Sequence, residues 1–311
     1  MDNVCHTLVG AALGAAGLHR RTRYASGVLM IAANLPDLDV LVFATDTLPV
    51  SFRRGWTHGV VAQALLPVLL TGAALLVGRR SPPRAAAPPL HAGWLLALAY
   101  LGVYSHVFLD FLNNYGVRLL APLDWRWFYG DAVFIVDPWL WLLLGGGVWL
   151  ARRQLSPRPA RGALLAAACY IAGMLVSAQL ARGYVLDAWQ AARGTAPAAL
   201  MVGPVPASPL TREVIVDAGG HYETGVFTWW PLRVTWRPER VPAQRSHPGL
   251  AAALQQSADM RGFLVWSRFP FFTTEPEGEG TRFSVHDMRF RGRGGGFEAS
   301  TVVAPAPRPA D

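Results

Sequence analysis

Long apolar runs separated by short Arg-bearing loops fill residues 1–182, and short strand-like runs between Pro and Gly clusters fill the rest. A transmembrane helix takes about 20 mostly apolar residues. Residues 60–78, 93–112, 133–150 and 162–180 meet that requirement most clearly. Residues 24–44 are also long enough, although Pro36, Asp37 and Asp39 interrupt the second half. Residues 4–18 are short and rich in Ala and Gly, and no basic region precedes them, which predicts a retained segment rather than a signal peptide. Six membrane segments followed by a polar domain is the resulting expectation.

Composition supports the division. The chain is 52% hydrophobic and 15% charged, where soluble domains carry about a quarter charged residues. Residues 1–182 hold eight carboxylates, all Asp, and residues 183–311 hold twelve. The 28 basic residues are all Arg, in clusters between apolar runs, a pattern of membrane topology rather than of a nucleic-acid partner. Loops after the first, third and fifth segments carry Arg20, Arg21 and Arg23, then Arg79, Arg80 and Arg84, then Arg152, Arg153, Arg158 and Arg161, with no acid among them. The positive-inside rule makes these loops cytoplasmic. The alternate loops mix Arg53, Arg54, Arg118 and Arg126 with Asp46, Asp124 and Asp131, so the N-terminus and the polar half are expected outside. Cys5 and Cys169 lie far apart in apolar runs and suggest neither a disulfide framework nor a thiolate metal site.

The polar half predicts a helical connector at 184–193 and strands at 212–216, 221–236, 262–269, 282–290 and 297–303. A helix at 250–260 follows Ser246 as its cap and Pro248 near its first turn. The expected fold class is mainly α: a polytopic helical membrane domain at 1–182, then a small extracytoplasmic α+β domain at 183–303. A Pro- and Ala-rich tail at 304–311 is expected to be disordered.

Ionisable groups near a bilayer are costly and usually mark function. Asp2 and His6 are four residues apart, as are His106 and Asp110, and each pair therefore shares one helix face. Asp37, Asp39 and His58 fall around the first outer loop, and the Arg-derived topology sends all seven groups to the same side. Three His and four Asp suit Zn, Mn or Fe, as one or two divalent ions. A metal site of this kind activates water toward an ester or phosphoester. Taken singly, each residue also suits a cap or an ion pair, Asp39 above all. Arg54 and Thr57 are placed to hold an anionic oxygen, and Arg118 or Arg126 to contact a phosphate headgroup or to anchor at the interface. Asp131 and Asp137 are on the same side, and Asp137 before Pro138 also reads as a helix start. His221, Glu223, His286, Asp287 and Arg289 show no ligand spacing. Trp125, Trp127, Phe128, Tyr129, Trp139 and Trp141 suit an interfacial aromatic belt.

Several motifs carry a resemblance. Asp2-Asn3-Val4-Cys5-His6-Thr7-Leu8, Asn34-Leu35-Pro36-Asp37-Leu38-Asp39, Arg54-Gly55-Trp56-Thr57-His58, Ser105-His106-Val107-Phe108-Leu109-Asp110, Asn114-Tyr115-Gly116 and Trp127-Phe128-Tyr129-Gly130-Asp131 occur in this order. Together they resemble the YdjM-like family of membrane-bound metal-dependent hydrolases, over roughly residues 1–140. The resemblance implies a helical protein of the bacterial inner membrane with a metal-dependent hydrolase site, and no particular substrate. The ligand order is also similar to part of the bacterial zinc phospholipase C pattern, from which this chain departs by lacking a later His-x-x-x-Glu pair.

These readings lead to the expectation of a multi-pass membrane hydrolase acting on an ester or phosphoester of a lipid-like or envelope substrate. Asp2, His6, Asp37, Asp39, His58, His106 and Asp110 would be ligands, with Asp37, Asp39 and Arg54 also in catalytic roles. An ion-coupled transporter using the same groups as a cation site is the alternative. A third reading makes the membrane half an anchor for an outer binding module. The outer domain is expected to act as a substrate-selecting cap.

Overall fold

The computed structural model describes residues 1–82, 87–291 and 297–304. Arg84 and the expected disordered tail from residue 305 onward lie outside the described residues. The helices are α1 Asn3–Ala15, α2 Ala25–Ala32, α3 Pro49–Phe52, α4 Val60–Arg80, α5 Ala92–Phe111, α6 Pro138–Arg153 and α7 Arg158–Arg193, with α8 Leu250–Gln256 and α9 Ala258–Trp266 among the strands. The strands are β1 Ala199–Val205, β2 Ser208–Asp217, β3 His221–Trp229, β4 Leu232–Pro242, β5 Pro270–Glu277, β6 Gly280–Asp287 and β7 Glu298–Val303. The expected class is observed: helices come first and a region of antiparallel sheets follows.

Among the described residues, α4, α5 and α7 are long and apolar enough to cross a membrane. A fourth span results if α2 and the 3-10 stretch Leu35–Ala44, bent by 49° at the break, count as one. The break falls at Ala33-Asn34, just before the Pro36 that the sequence marked as an interruption. The first expected segment is a 13-residue helix. The expected segment 133–150 begins its helix only at Pro138, because the Asp137 carboxylate accepts the Trp139 and Leu140 N–H groups at 3.0 Å and proline favours the first helical position. The connector at 184–193 is not a separate helix: α7 continues to Arg193, where Gly194 at φ 72° ends it.

The chain forms two compact units. The first comprises Met1–Asp39, Arg54–Leu180 and Gly203–Pro209. Its core packs Ala25, Val28, Leu29 and Ala32 of α2 against Leu95, Leu98, Ala99 and Val103 of α5. Gly102 permits this approach, since a Cβ there would lie 2.5 Å from the Ala32 methyl and 3.0 Å from the Leu29 carbonyl oxygen. A second cluster joins Cys5 and Ala12 of α1 to Leu109, Leu140, Leu144, Ala167 and Met174.

The other unit comprises Val40–Arg53, Ala181–Val202 and Leu210–Asp311. One sheet has the order β1-β2-β3-β4 and the other β5-β6-β7. Ala181, Val185 and Trp189, one helical face of α7 at four-residue spacing, pack on Leu200, Val202, Val214, Val216 and Phe227. The expected strand 221–236 is a hairpin, with Trp229 opposite Leu232 across a two-residue turn. The expected strand 262–269 is instead mostly α9. Met260, Phe263 and Trp266 recur at three-residue spacing, which places them on one buried helical face, and the Ser257 hydroxyl accepts the Met260 N–H. The expected helix 250–260 is likewise two helices, α8 after Gly249 and then α9. Strands β1 and β5 went unpredicted.

Candidate metal centre

Each site residue is presented by an element end or a tight loop. His106 and Asp110 lie on one face of α5, both fully buried. His58 ends the loop before α4, and Asp37 follows α2. Together Asp37, His58, His106 and Asp110 offer four ligand atoms that all lie within 4.8 Å of one another. His58 Nε2 is 3.1 Å from His106 Nε2 and 3.2 Å from an Asp110 oxygen. His106 Nε2 is 3.6 Å from Asp110 and 3.9 Å from Asp37. An ion bonded at roughly 2.0–2.2 Å separates tetrahedral ligand atoms by about 3.3–3.6 Å, and the observed spacings of 3.1–3.9 Å lie within a few tenths of an ångström of that range.

Proton positions strengthen the fit. His106 Nδ1 lies 2.8 Å from the Ala33 carbonyl oxygen, which only accepts, so Nδ1 carries the proton and a neutral ring leaves Nε2 as a lone pair. His58 Nδ1 faces the Thr57 hydroxyl at 3.0 Å and an Asp39 oxygen at 3.5 Å, which assigns its proton in the same way. Burial pushes the His58 imidazole below its ordinary pKa and the His106 ring adds to the lowering, while the Asp110 and Asp39 carboxylates oppose it. With Nδ1 engaged in each ring, both Nε2 atoms turn toward one point beside two carboxylates, an arrangement that suits a cation.

The other residues surround this group. Asp39 does not join the four: one of its oxygens accepts the Arg54 N–H at 2.7 Å and the Thr57 hydroxyl at 3.3 Å, and the carboxylate faces His58 Nδ1. Arg54 holds Asp110, with Nε at 2.9 Å and a terminal nitrogen at 3.1 Å, and its other terminal nitrogen donates to Asn113 at 3.0 Å and Gly116 at 3.3 Å. Its guanidinium therefore faces Asp110 rather than open space. The Met1 amine also pairs with Asp110. His6 stacks on the His106 ring at 3.8 Å, and its Nε2 comes within 3.3 Å of Asp110, yet neither ring nitrogen has a hydrogen-bond partner despite full burial. Asp2 is occupied elsewhere: it caps α1 through the Val4 and Cys5 N–H groups and accepts from Trp141 Nε1 at 3.2 Å.

Farther out, Arg118 is buried against the rings of Trp125 and Trp127. Arg126 pairs with Asp124 at the surface. Asp137 is the α6 cap and also accepts the Tyr170 hydroxyl at 2.9 Å. Asp131 takes a positive φ of 48°. In the second unit Glu223 pairs with Arg193 at 2.6 Å and Asp287 with Arg289 at 2.8 Å. Sequence reasoning missed Asn3, which donates to Asp37 at 2.9 Å, and Asn113. Asn3 sits inside the first motif, one turn before His6 on α1, and that was the available signal.

The sequence profile of the YdjM inner membrane protein family matches residues 1–182. The chain belongs to this family. The match includes every member of the four-residue group. YfhP, an uncharacterized protein of Bacillus subtilis (strain 168), is 27% identical over 162 residues, which is 49% of this chain and 47% of the relative. The chain thus covers less than two thirds of that relative's length. No solved structure matches.

Proposed function

We propose that this YdjM-family protein is a membrane-bound, metal-dependent hydrolase acting on an ester or phosphoester of a lipid-like or envelope substrate. The observation that carries the reading is the convergence of two imidazole lone pairs and two carboxylates in a buried cluster of a membrane protein. Zinc suits this donor set best, since nitrogen and oxygen ligands at tetrahedral spacing are its habit. When bound, the ion supplies Lewis acidity toward the scissile oxygen and makes water a better nucleophile at neutral pH.

The chain's own groups have distinct tasks. His58 and His106 present their Nε2 atoms, fixed by Asp39 and by the Ala33 carbonyl respectively. Arg54 holds Asp110 in place. The Asp37 side chain is 9% exposed, while those of His106 and Asp110 are fully enclosed, so Asp37 is the group that meets entering water and takes its proton. His6, buried without a hydrogen-bond partner, provides a further nitrogen at the edge of the cluster. The Arg distribution favours a multi-pass chain with this site and the sheet region on the extracytoplasmic face.

The test is metal content and turnover measured together on purified protein, against a panel of lipid phosphoesters and carboxyl esters. His58→Ala should lose both. Asp37→Asn should bind metal more weakly and, even when saturated with metal, lose turnover. A wild-type protein that holds metal yet hydrolyses nothing on the panel would overturn the hydrolase reading and leave a cation-binding role.

A further inference from the structure

Of the four cluster side chains, only that of Asp37 is not fully enclosed. Beside it Asn3, itself exposed, donates to Asp37 at 2.9 Å and to the side-chain oxygen of Asn34 at 3.4 Å. Asn34 in turn donates to the Thr7 hydroxyl at 3.0 Å. A polar ladder thus leads out from the cluster, and it ends at the rim of a groove of about 500 Å³. Thr7 and Asn34 form the polar end of this groove, and Gly27, Met30, Ile31, Leu35 and Leu38 line the rest. Gly27, Met30, Ile31 and Asn34 recur at the i, i+3, i+4, i+7 spacing, so they form one stripe of α2, apolar up to Asn34. From Asn34 to Gly27 the stripe runs about 10 Å.

Gly27 keeps this groove open. It lies inside α2 without a positive φ, and a Cβ there would meet nothing within 4 Å. Gly10 of α1 differs, since its Cβ would fall 2.8 Å from the Leu29 carbonyl oxygen where the two helices pack together. Glycine weakens a helix relative to alanine, and neither crowding nor backbone geometry calls for it at Gly27. A side chain at that position would stand in the groove. The stripe also belongs to the bent pair of helices that forms a candidate membrane span, where the surrounding medium is hydrocarbon.

We propose that this groove binds the alkyl chain of the lipid substrate and so places its ester or phosphoester at Asn3 and Asp37, beside the metal centre. The inference rests on the hydrolase reading above and narrows its substrate to a lipid whose scissile group adjoins a chain long enough to pass Ile31. The chain enters sideways from the bilayer, and its polar group moves only as far as the Asn3 and Asn34 amides. Gly27 and Ile31, at the far part of the stripe, then set the chain length that fits.

Butylphosphonate and dodecylphosphonate, which carry a metal-binding head but no ester to cleave, test this. Calorimetric titration of the zinc-loaded full chain in nanodiscs, with empty discs as the blank, gives a Kd for each. Gly27→Leu should keep its zinc and weaken dodecylphosphonate by about tenfold or more, since a misfit of even one methylene in an apolar pocket costs that much. Butylphosphonate should be unaffected, because four carbons stop short of Gly27. Ile31→Trp should weaken dodecylphosphonate in the same way, whereas Leu69→Trp, on the exposed face of α4 outside the groove, should change neither Kd. Equal effects on both phosphonates in Gly27→Leu and Ile31→Trp, or no binding of dodecylphosphonate by the unaltered protein, would overturn the proposal. The titration needs no turnover, so the chain-length split in a protein that hydrolyses nothing would sink the hydrolase reading and leave the groove as a lipid site.

Discussion

Asp39→Asn separates an outer partner of the metal site from a ligand. The carboxylate is 2% exposed, accepts the Arg54 N–H at 2.7 Å and the Thr57 hydroxyl at 3.3 Å, and lies 3.5 Å from His58 Nδ1. Asparagine keeps the volume and one acceptor oxygen but removes the charge that holds the proton on His58 Nδ1. Carboxylate partners of metal-bound histidines are worth about 10- to 100-fold in affinity, or about 1.4–2.8 kcal/mol at about 1.4 kcal/mol per decade. Competition of the purified protein with a fluorescent zinc chelator should show a Kd weaker by that factor, with stoichiometry unchanged. Thr57→Val, which removes only the hydroxyl, should weaken binding less. An unchanged Kd in a folded Asp39→Asn protein would refute the idea that Asp39 orients His58, and loss of all binding would instead make Asp39 a ligand.

Other outcomes follow from the packing and the charges. Gly102→Ala drives a methyl to within 2.5 Å of Ala32 in the α2–α5 contact, and overpacking of this kind costs about 1–3 kcal/mol, measurable as a lower midpoint in thermal or denaturant unfolding. Asp287 is wholly buried, and although burial raises its pKa, the Arg289 charge and hydrogen bonds prevail and hold it below the ordinary value. A depressed folded pKa contributes stability that is fully present above the unfolded value of about 3.9 and is lost as pH falls through the folded value. Acid unfolding of the sheet region should therefore steepen below about pH 4, and Asp287→Asn should abolish that dependence while lowering stability at pH 7 by about 3–5 kcal/mol. Reporter fusions after Arg161 should score cytoplasmic and those after Gly220 extracytoplasmic, and the reverse at Gly220 would invert the proposed sidedness.

The parts of this molecule that were legible are those whose chemistry is local in sequence. His106 and Asp110 share a face by helical spacing alone, and their placement in an apolar helix singles them out as candidates. Asp2 and His6 have the same spacing, but Asp2 directly precedes a helix, where a carboxylate meets free N–H groups, and the cap takes it. The roles of Asp39 and Arg54 depend on contacts across 15 and 56 residues, which no spacing rule reveals. In the sheet region, Phe263 to Trp266 reads as an apolar strand when taken alone. The Ser257 cap and Met260 show the helical period that the structure follows. The α7 connector appeared separate because polarity changes after Leu180, yet the backbone has no reason to stop before Gly194.

The central claim is that His58, His106, Asp110 and Asp37 hold one ion between them. Anomalous diffraction at the zinc edge, from crystals of the full chain grown with zinc, tests it most directly. The account predicts a peak at roughly 2.0–2.2 Å from both Nε2 atoms and from carboxylate oxygens of Asp110 and Asp37. A site without anomalous density in zinc-replete crystals, with the two imidazoles in direct hydrogen-bond contact, would contradict it.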